Sequence, residues 1–144
     1  MAARGPSQDG CRGRVTHVEG EAVADNDKVL INLATGLEDG ERVTVAFLVA
    51  TAGLSAGKQV AMWLTKEAVR LSLSGFAEGV ACDGCPPLPQ LMEQFADGGG
   101  ELLACPICFN ARKLSEDGLA PNARMVGATP LWEWIGERAT VFSY

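Results

Sequence analysis

Histidine is nearly missing from this 144-residue chain: His17 is the only one. It falls within residues 1–27, where Gly, Asp, Arg and Ser are frequent and apolar residues stand alone. That composition predicts a flexible tail, although Val15–Val18 has the makings of a short strand. A base carried on a tail is not held rigidly, which argues against Ser-His-Asp and Cys-His catalysis. An excess of positive charge is missing as well. Twelve basic against eighteen acidic residues leave a net charge of −6. This argues against a nucleic-acid footprint and against an anchor on an anionic membrane. The opening MAARGPSQDG has no apolar core of the kind a secretory signal needs, and Ala2 breaks the N-myristoylation pattern. The longest mostly apolar stretch, Val43 to Gly57, is too short to cross a bilayer. A cytoplasmic protein is the expectation from these absences.

The five cysteines are too few for a secreted disulfide scaffold. Four of them form two C-x-x-C pairs, Cys82/Cys85 and Cys105/Cys108; the fifth is Cys11. In a reducing compartment such thiols are reactive or metal-binding.

Residues 28–144 alternate between strand and helix signals. Lys28 to Ala34 is an apolar run of strand length, as a buried parallel strand should be. Arg42 to Ala56 is apolar nearly all round. Its length favours a helix, with Glu38 and Asp39 at its positive end. A helix apolar on every side must be covered on every side, so a homo-oligomer is predicted. Gln59 to Leu64 reads as a strand, Glu67 to Leu73 as either a helical turn or a strand, and Ser74 to Cys85 as a loop. Leu88, Leu91, Met92 and Phe95 mark an amphipathic helix. Glu101 to Cys105 reads as a strand, and Pro106 to Lys113 as a helix with Pro at its first position. Arg124 to Val126 is a brief strand. Thr129-Pro130 caps a helix with Leu131, Trp134, Ile135 and Arg138 on one face. Trp132 and Trp134, two apart, point to different sides of it. Thr140 to Tyr144 is the last strand. The alternation predicts an α/β fold with a mainly parallel sheet and helices on both faces.

Two glycine-rich spots fail as nucleotide sites. Gly53 to Gln59 is one residue short of a phosphate loop, lacks its Ser/Thr, and follows a helix rather than a strand. No G-x-G-x-x-G follows the first strand.

Cys105-Pro-Ile-Cys108 carries the clearest chemistry. A cysteine that ends a strand and opens a helix meets uncapped N–H groups and the positive end of the dipole, and both favour the nucleophilic thiolate. Arg112 and Lys113, two turns on, add positive charge if they reach back. Carboxyl ends of parallel strands are where open α/β sheets place their sites. Together with Cys82-Asp-Gly-Cys85 the motif spells C-x2-C-x19-C-x2-C, within the spacing of a four-thiolate zinc site. Under that alternative Cys82, Cys85, Cys105 and Cys108 are the ligands of a binding or assembly domain. A thioredoxin-like dithiol oxidoreductase is a further alternative, although CPIC lies late in the chain.

The opening KVLINLATG, the long apolar helix, GGELLACPICFNARK and MVGATPLWEWI with its closing strand resemble the DsrE-like family, which includes TusD-type sulfur-relay subunits. The resemblance covers residues 28–144. It implies a flavodoxin-like three-layer α/β/α sandwich, trimers or hexamers, and a persulfide-carrying cysteine. Counting back from the basic residues places that cysteine at Cys105; a shift of three places it at Cys108. In this family a glycine often follows the arginine, where this chain has Lys113-Leu114. The implied role is a sulfur-relay carrier with sulfur donor and acceptor proteins as partners, with Cys105, Cys108 and Arg112 as site residues and no cofactor required. Cys108 would resolve the persulfide by thiol–disulfide exchange, and Cys82 and Cys85 would receive or pass sulfur if they face the same cleft.

Overall fold

The computed structural model describes residues 27–144. The expected tail, with Cys11, His17 and the Val15–Val18 strand, lies almost wholly outside the described residues.

The strands are β1 (Lys28–Leu33), β2 (Gln59–Leu64), β3 (Glu101–Ala104), β4 (Ala123–Met125) and β5 (Thr140–Ser143). They form one sheet in the order β4-β3-β2-β1-β5. Every pairing is parallel, with Leu30 opposite Ala61 and Val141, and Met62 opposite Leu102. The chain steps outward from β1 to β4 and then returns to the other flank of β1. The helices are α1 (Gly40–Ser55), α2 (Leu88–Asp97), α3 (Pro106–Ala111) and α4 (Ala128–Ile135).

Strand alternation sorts the side chains into two cores. Val29, Ile31, Leu33, Val60, Met62, Leu64, Leu102 and Ala104 face one side with the buried residues of α1, α2 and α3. Leu30, Ala61 and Leu103 face the other, under Leu131 and Trp134 of α4. Where α1 crosses α2, Phe47 and Phe95 meet edge to face with centroids 5.6 Å apart. The expected three layers are therefore present.

Local chemistry sets the helix ends. The Asp39 carboxylate accepts from the Arg42 N–H at 3.0 Å and caps α1. Gly57, in the left-handed region at φ +80°, ends the turn after α1, and the Lys58 N–H closes onto the Gly53 carbonyl. The Gly53–Gln59 segment is thus a helix stop. The ambiguous stretch after β2 is neither α-helix nor strand but a 3-10 helix, Lys66–Ser72. Helix α4 starts before the expected Thr129 cap, with Gly127 as its N-cap. Trp134 is buried and donates its indole N–H to Glu101, while Trp132 is exposed.

Helix α1 is apolar nearly all round, and a single chain covers only part of it. Val43, Ala46, Phe47 and Ala50 are buried within this one chain, whereas Val45 and Leu48 are open to solvent, Leu48 by 37%. Every residue of the edge strand β5 is exposed, and Phe142 is 41% exposed.

Candidate functional site at the carboxyl edge of the sheet

Cys105 sits where β3 becomes α3. Its N–H donates to the Leu64 carbonyl at 2.9 Å, one rung beyond the β2–β3 ladder. Its own carbonyl accepts from the Phe109 N–H at 3.0 Å, the first bond of α3. The residue is thus tied by main-chain atoms to the sheet on one side and to the helix on the other. Pro106 occupies the first helical position, where a missing N–H costs nothing. Fully buried Phe109 fixes the orientation of α3 against the core. No side chain caps the helix, and at six residues its dipole is that of about one and a half turns.

Cys105 and Cys108 are both free thiols and both half-buried. They pack at the margin of the larger core. Between them Ile107 is 81% exposed, an apolar side chain standing in solvent beside two thiols.

Arg112 does not reach back as a bare cation. Its Nε donates to Glu67 Oε1 at 2.6 Å, and its Nη1 donates to the Cys108 carbonyl at 3.1 Å. Glu67 takes a second bond, from Arg70 Nε at 2.9 Å. The Arg70 hydrogen bond, followed by that of Arg112, holds the Glu67 carboxyl below its ordinary value of 4.5. Arg112 therefore ties the last turn of α3 to the 3-10 helix after β2. Its guanidinium is bound to the Cys108 carbonyl and answered by a carboxylate that the sequence does not single out. The β1–α1 turn closes over the same place: a Cβ on Gly36 would lie 2.9 Å from Glu67 backbone and side-chain carbon. Only glycine permits that approach.

The end of α3 also departs from expectation in an informative way. Lys113 adopts φ +53°. The Lys113 N–H bonds the Asn110 carbonyl at 3.0 Å, and the Leu114 N–H bonds that of Phe109 at 3.4 Å. This is the paired closure in which a left-handed residue, most often glycine, ends a helix. The lysine occupies the glycine's conformation.

The structure does not bring the two C-x-x-C pairs together as four metal ligands. Cys82 and Cys85 are bonded to each other as a disulfide, against the expectation of reduced thiols. Among the described residues no three His, Cys, Asp or Glu side chains converge as a metal site requires. Cys105 and Cys108 flank the β3–α3 junction, whereas Cys82 and Cys85 lie in the loop before α2, and sequence spacing carries no information on whether two such places converge. Among the described residues no helix is long and apolar enough to cross a membrane.

Comparison with known proteins gives a consistent picture. A model of the DsrE/DsrF-like family matches residues 27–144. The uncharacterised protein MK0008 of Methanopyrus kandleri is 29% identical over 104 residues, covering 72% of this chain and 83% of that protein. Among solved structures, YchN of E. coli superposes with a TM-score of 0.61 at 16% identity, covering 80% of this chain and 99% of that one. MTH1491 of Methanobacterium thermoautotrophicum, a protein of unknown function, gives 0.64 at 11% identity, covering 83% and 100%. These two likenesses extend to the fold and no further.

Proposed function

This chain belongs to the DsrE/DsrF-like family, and from that premise we propose that it is a sulfur-relay protein carrying a persulfide on Cys105. One observation supports this above the rest. A free, half-buried thiol stands at the carboxyl end of an interior parallel strand with a second free thiol three residues on.

The chemistry needs no cofactor. The Cys105 thiolate attacks the outer sulfur of a donor persulfide, forming Cys105–S–SH and releasing the donor thiolate. Cys108 then attacks the inner sulfur. The persulfide S–S bond breaks, hydrosulfide leaves, and a Cys105–Cys108 disulfide remains. The outer sulfur is reduced and the two thiols are oxidised, so electrons balance. If an acceptor thiol arrives first, it takes the outer sulfur and Cys105 returns to thiolate. Exposed Ile107 supplies an apolar contact for a donor or acceptor protein.

The assembly is a homo-oligomer, trimer or hexamer. Val45 and Leu48 on α1 and Val141 and Phe142 on the open edge strand are large apolar side chains left exposed by a single chain.

The test is loading with a small-molecule persulfide followed by alkylation and intact-mass measurement. Wild type gains sulfur-mass increments, and Cys105→Ser loses them. Cys108→Ser retains its persulfide longer and releases no hydrosulfide. Undiminished loading of Cys105→Ser overturns the assignment.

A further inference from the structure

The Cys82–Cys85 disulfide is an odd staple. It joins residues only three apart in sequence. A ring that small removes little entropy from the unfolded chain, so as a stabilising cross-link it does little. The loop around it is already closed by main-chain bonds. The Leu88 N–H donates to the Val80 carbonyl at 3.0 Å, pinning both ends of the segment 81–87. Within it the Cys85 N–H donates to the Cys82 carbonyl at 3.1 Å, with Gly84 in the left-handed region at φ +77°. That is a β-turn whose third position calls for glycine. With the turn formed and the bond closed, the two Cα atoms stand 5.2 Å apart, inside the range a disulfide spans, and a β-turn by itself keeps its end residues within about 7 Å. The bond can therefore open and close without the loop refolding.

Its location matters equally. Leu88 begins α2 and Gly40 begins α1, and both helices start at the carboxyl edge of the parallel sheet. Val80 lies 3.2 Å from where a Cβ on Gly40 would stand. The loop is thus on the same edge as Cys105. Val80 and Leu88 also pack on the same core cluster, on the same face of the sheet, as Cys105 and Cys108. Both cysteines of the loop are half-buried and flanked by exposed Asp83, Gly84 and Pro86. The structure holds CDGC oxidised and CPIC as free thiols.

We infer that Cys82 and Cys85 form a second redox centre, a built-in dithiol that re-reduces the Cys105–Cys108 disulfide left when a persulfide is resolved. One Cys82/Cys85 thiolate attacks the Cys105–Cys108 bond to give a mixed disulfide. The other resolves it. CDGC ends as a disulfide and CPIC as two thiols, with two electrons and two protons transferred between the pairs. An external dithiol reductant returns CDGC to its reduced form. The inference rests on the persulfide reading of Cys105 and extends it from one turnover to two.

Hydrosulfide stoichiometry tests it. Protein in a Cys11→Ser background is fully reduced, freed of reductant, and given excess small-molecule persulfide. Release is counted above a Cys105→Ser/Cys108→Ser control. With both centres acting, each chain releases about two hydrosulfides before stalling, and Cys82→Ser/Cys85→Ser releases about one. After a single turnover, peptide mapping finds the disulfide at Cys82–Cys85 and alkylated Cys105 and Cys108. About one hydrosulfide from both proteins, with the disulfide remaining at Cys105–Cys108, overturns the inference and leaves the persulfide reading standing. No release from either overturns the persulfide reading itself. The substitutions lie in a loop held by backbone bonds, and an unchanged melting temperature confirms that the variant is folded.

Discussion

Glu67 carries the charge balance beside the two thiols, and nothing in its local sequence marks it. Its partner Arg112 lies 45 residues away, and the contact exists because a 3-10 helix after β2 meets the end of α3. Period-based reading has no signal for a 3-10 run of that length, which is why the segment stayed ambiguous between helix and strand. Cys105 and Cys108, by contrast, were legible, because a strand signal, a proline at a helix start and the C-x-x-C spacing all coincide. The two guanidinium groups keep the Glu67 carboxyl below its ordinary value of 4.5. Its contribution to stability is therefore fully present above pH 4.5 and lost as pH falls through the lowered folded value. Glu67→Gln should flatten the acid limb of melting temperature against pH. Because the site is exposed, added salt should shrink the difference between the two proteins. An acid limb identical in both proteins counts against the pairing. Freed of its carboxylate, Arg112 also holds Cys108 less firmly, so under the proposed function hydrosulfide release should slow in the same variant.

At the scale of elements, α3 is the shortest α-helix among the described residues and the one that aims both thiols. Its C-terminal closure places Lys113 at φ +53°, where a Cβ is disfavoured by about 1 kcal/mol. Lys113→Gly should raise stability by up to about 1 kcal/mol, with the entropy of a more flexible unfolded chain offsetting part of the gain. Urea denaturation reads this as a higher midpoint at unchanged slope. A lowered midpoint contradicts the closure described. Strands and long helices were readable because burial on both sheet faces leaves continuous apolar runs, as in KVLINL and QVAMWL. The start of α4 and the extent of β4 each shifted by a residue or so, since caps there are set by backbone bonds rather than by side chains. The CDGC segment reads as loop from sequence, yet its glycine placement makes a closed pair of cysteines possible, a consequence of turn geometry that spacing alone does not carry.

For the whole molecule, the open question raised by composition concerned what covers α1. One chain buries half of it and leaves Val45 and Leu48 exposed, alongside an edge strand with every residue open. Protein at micromolar concentration should sediment well above the 15.1 kDa of one chain. Leu48→Glu or Phe142→Glu should shift it toward the single-chain mass, since a charge in a closed apolar contact costs several kcal/mol. A wild type that sediments as a single chain removes the oligomer from the proposal. The parallel sheet has one more consequence. All strands run the same way, so the chain enters β1 at one rim and finishes at the other. There Tyr144 lies beside Ala34 through a 2.9 Å backbone bond, on the rim that also bears Cys105. A tag or surface tether belongs ahead of Lys28, on the rim opposite Cys105; the same tether on Tyr144 would crowd the approach to the two thiols, and under the proposed function it should slow persulfide loading.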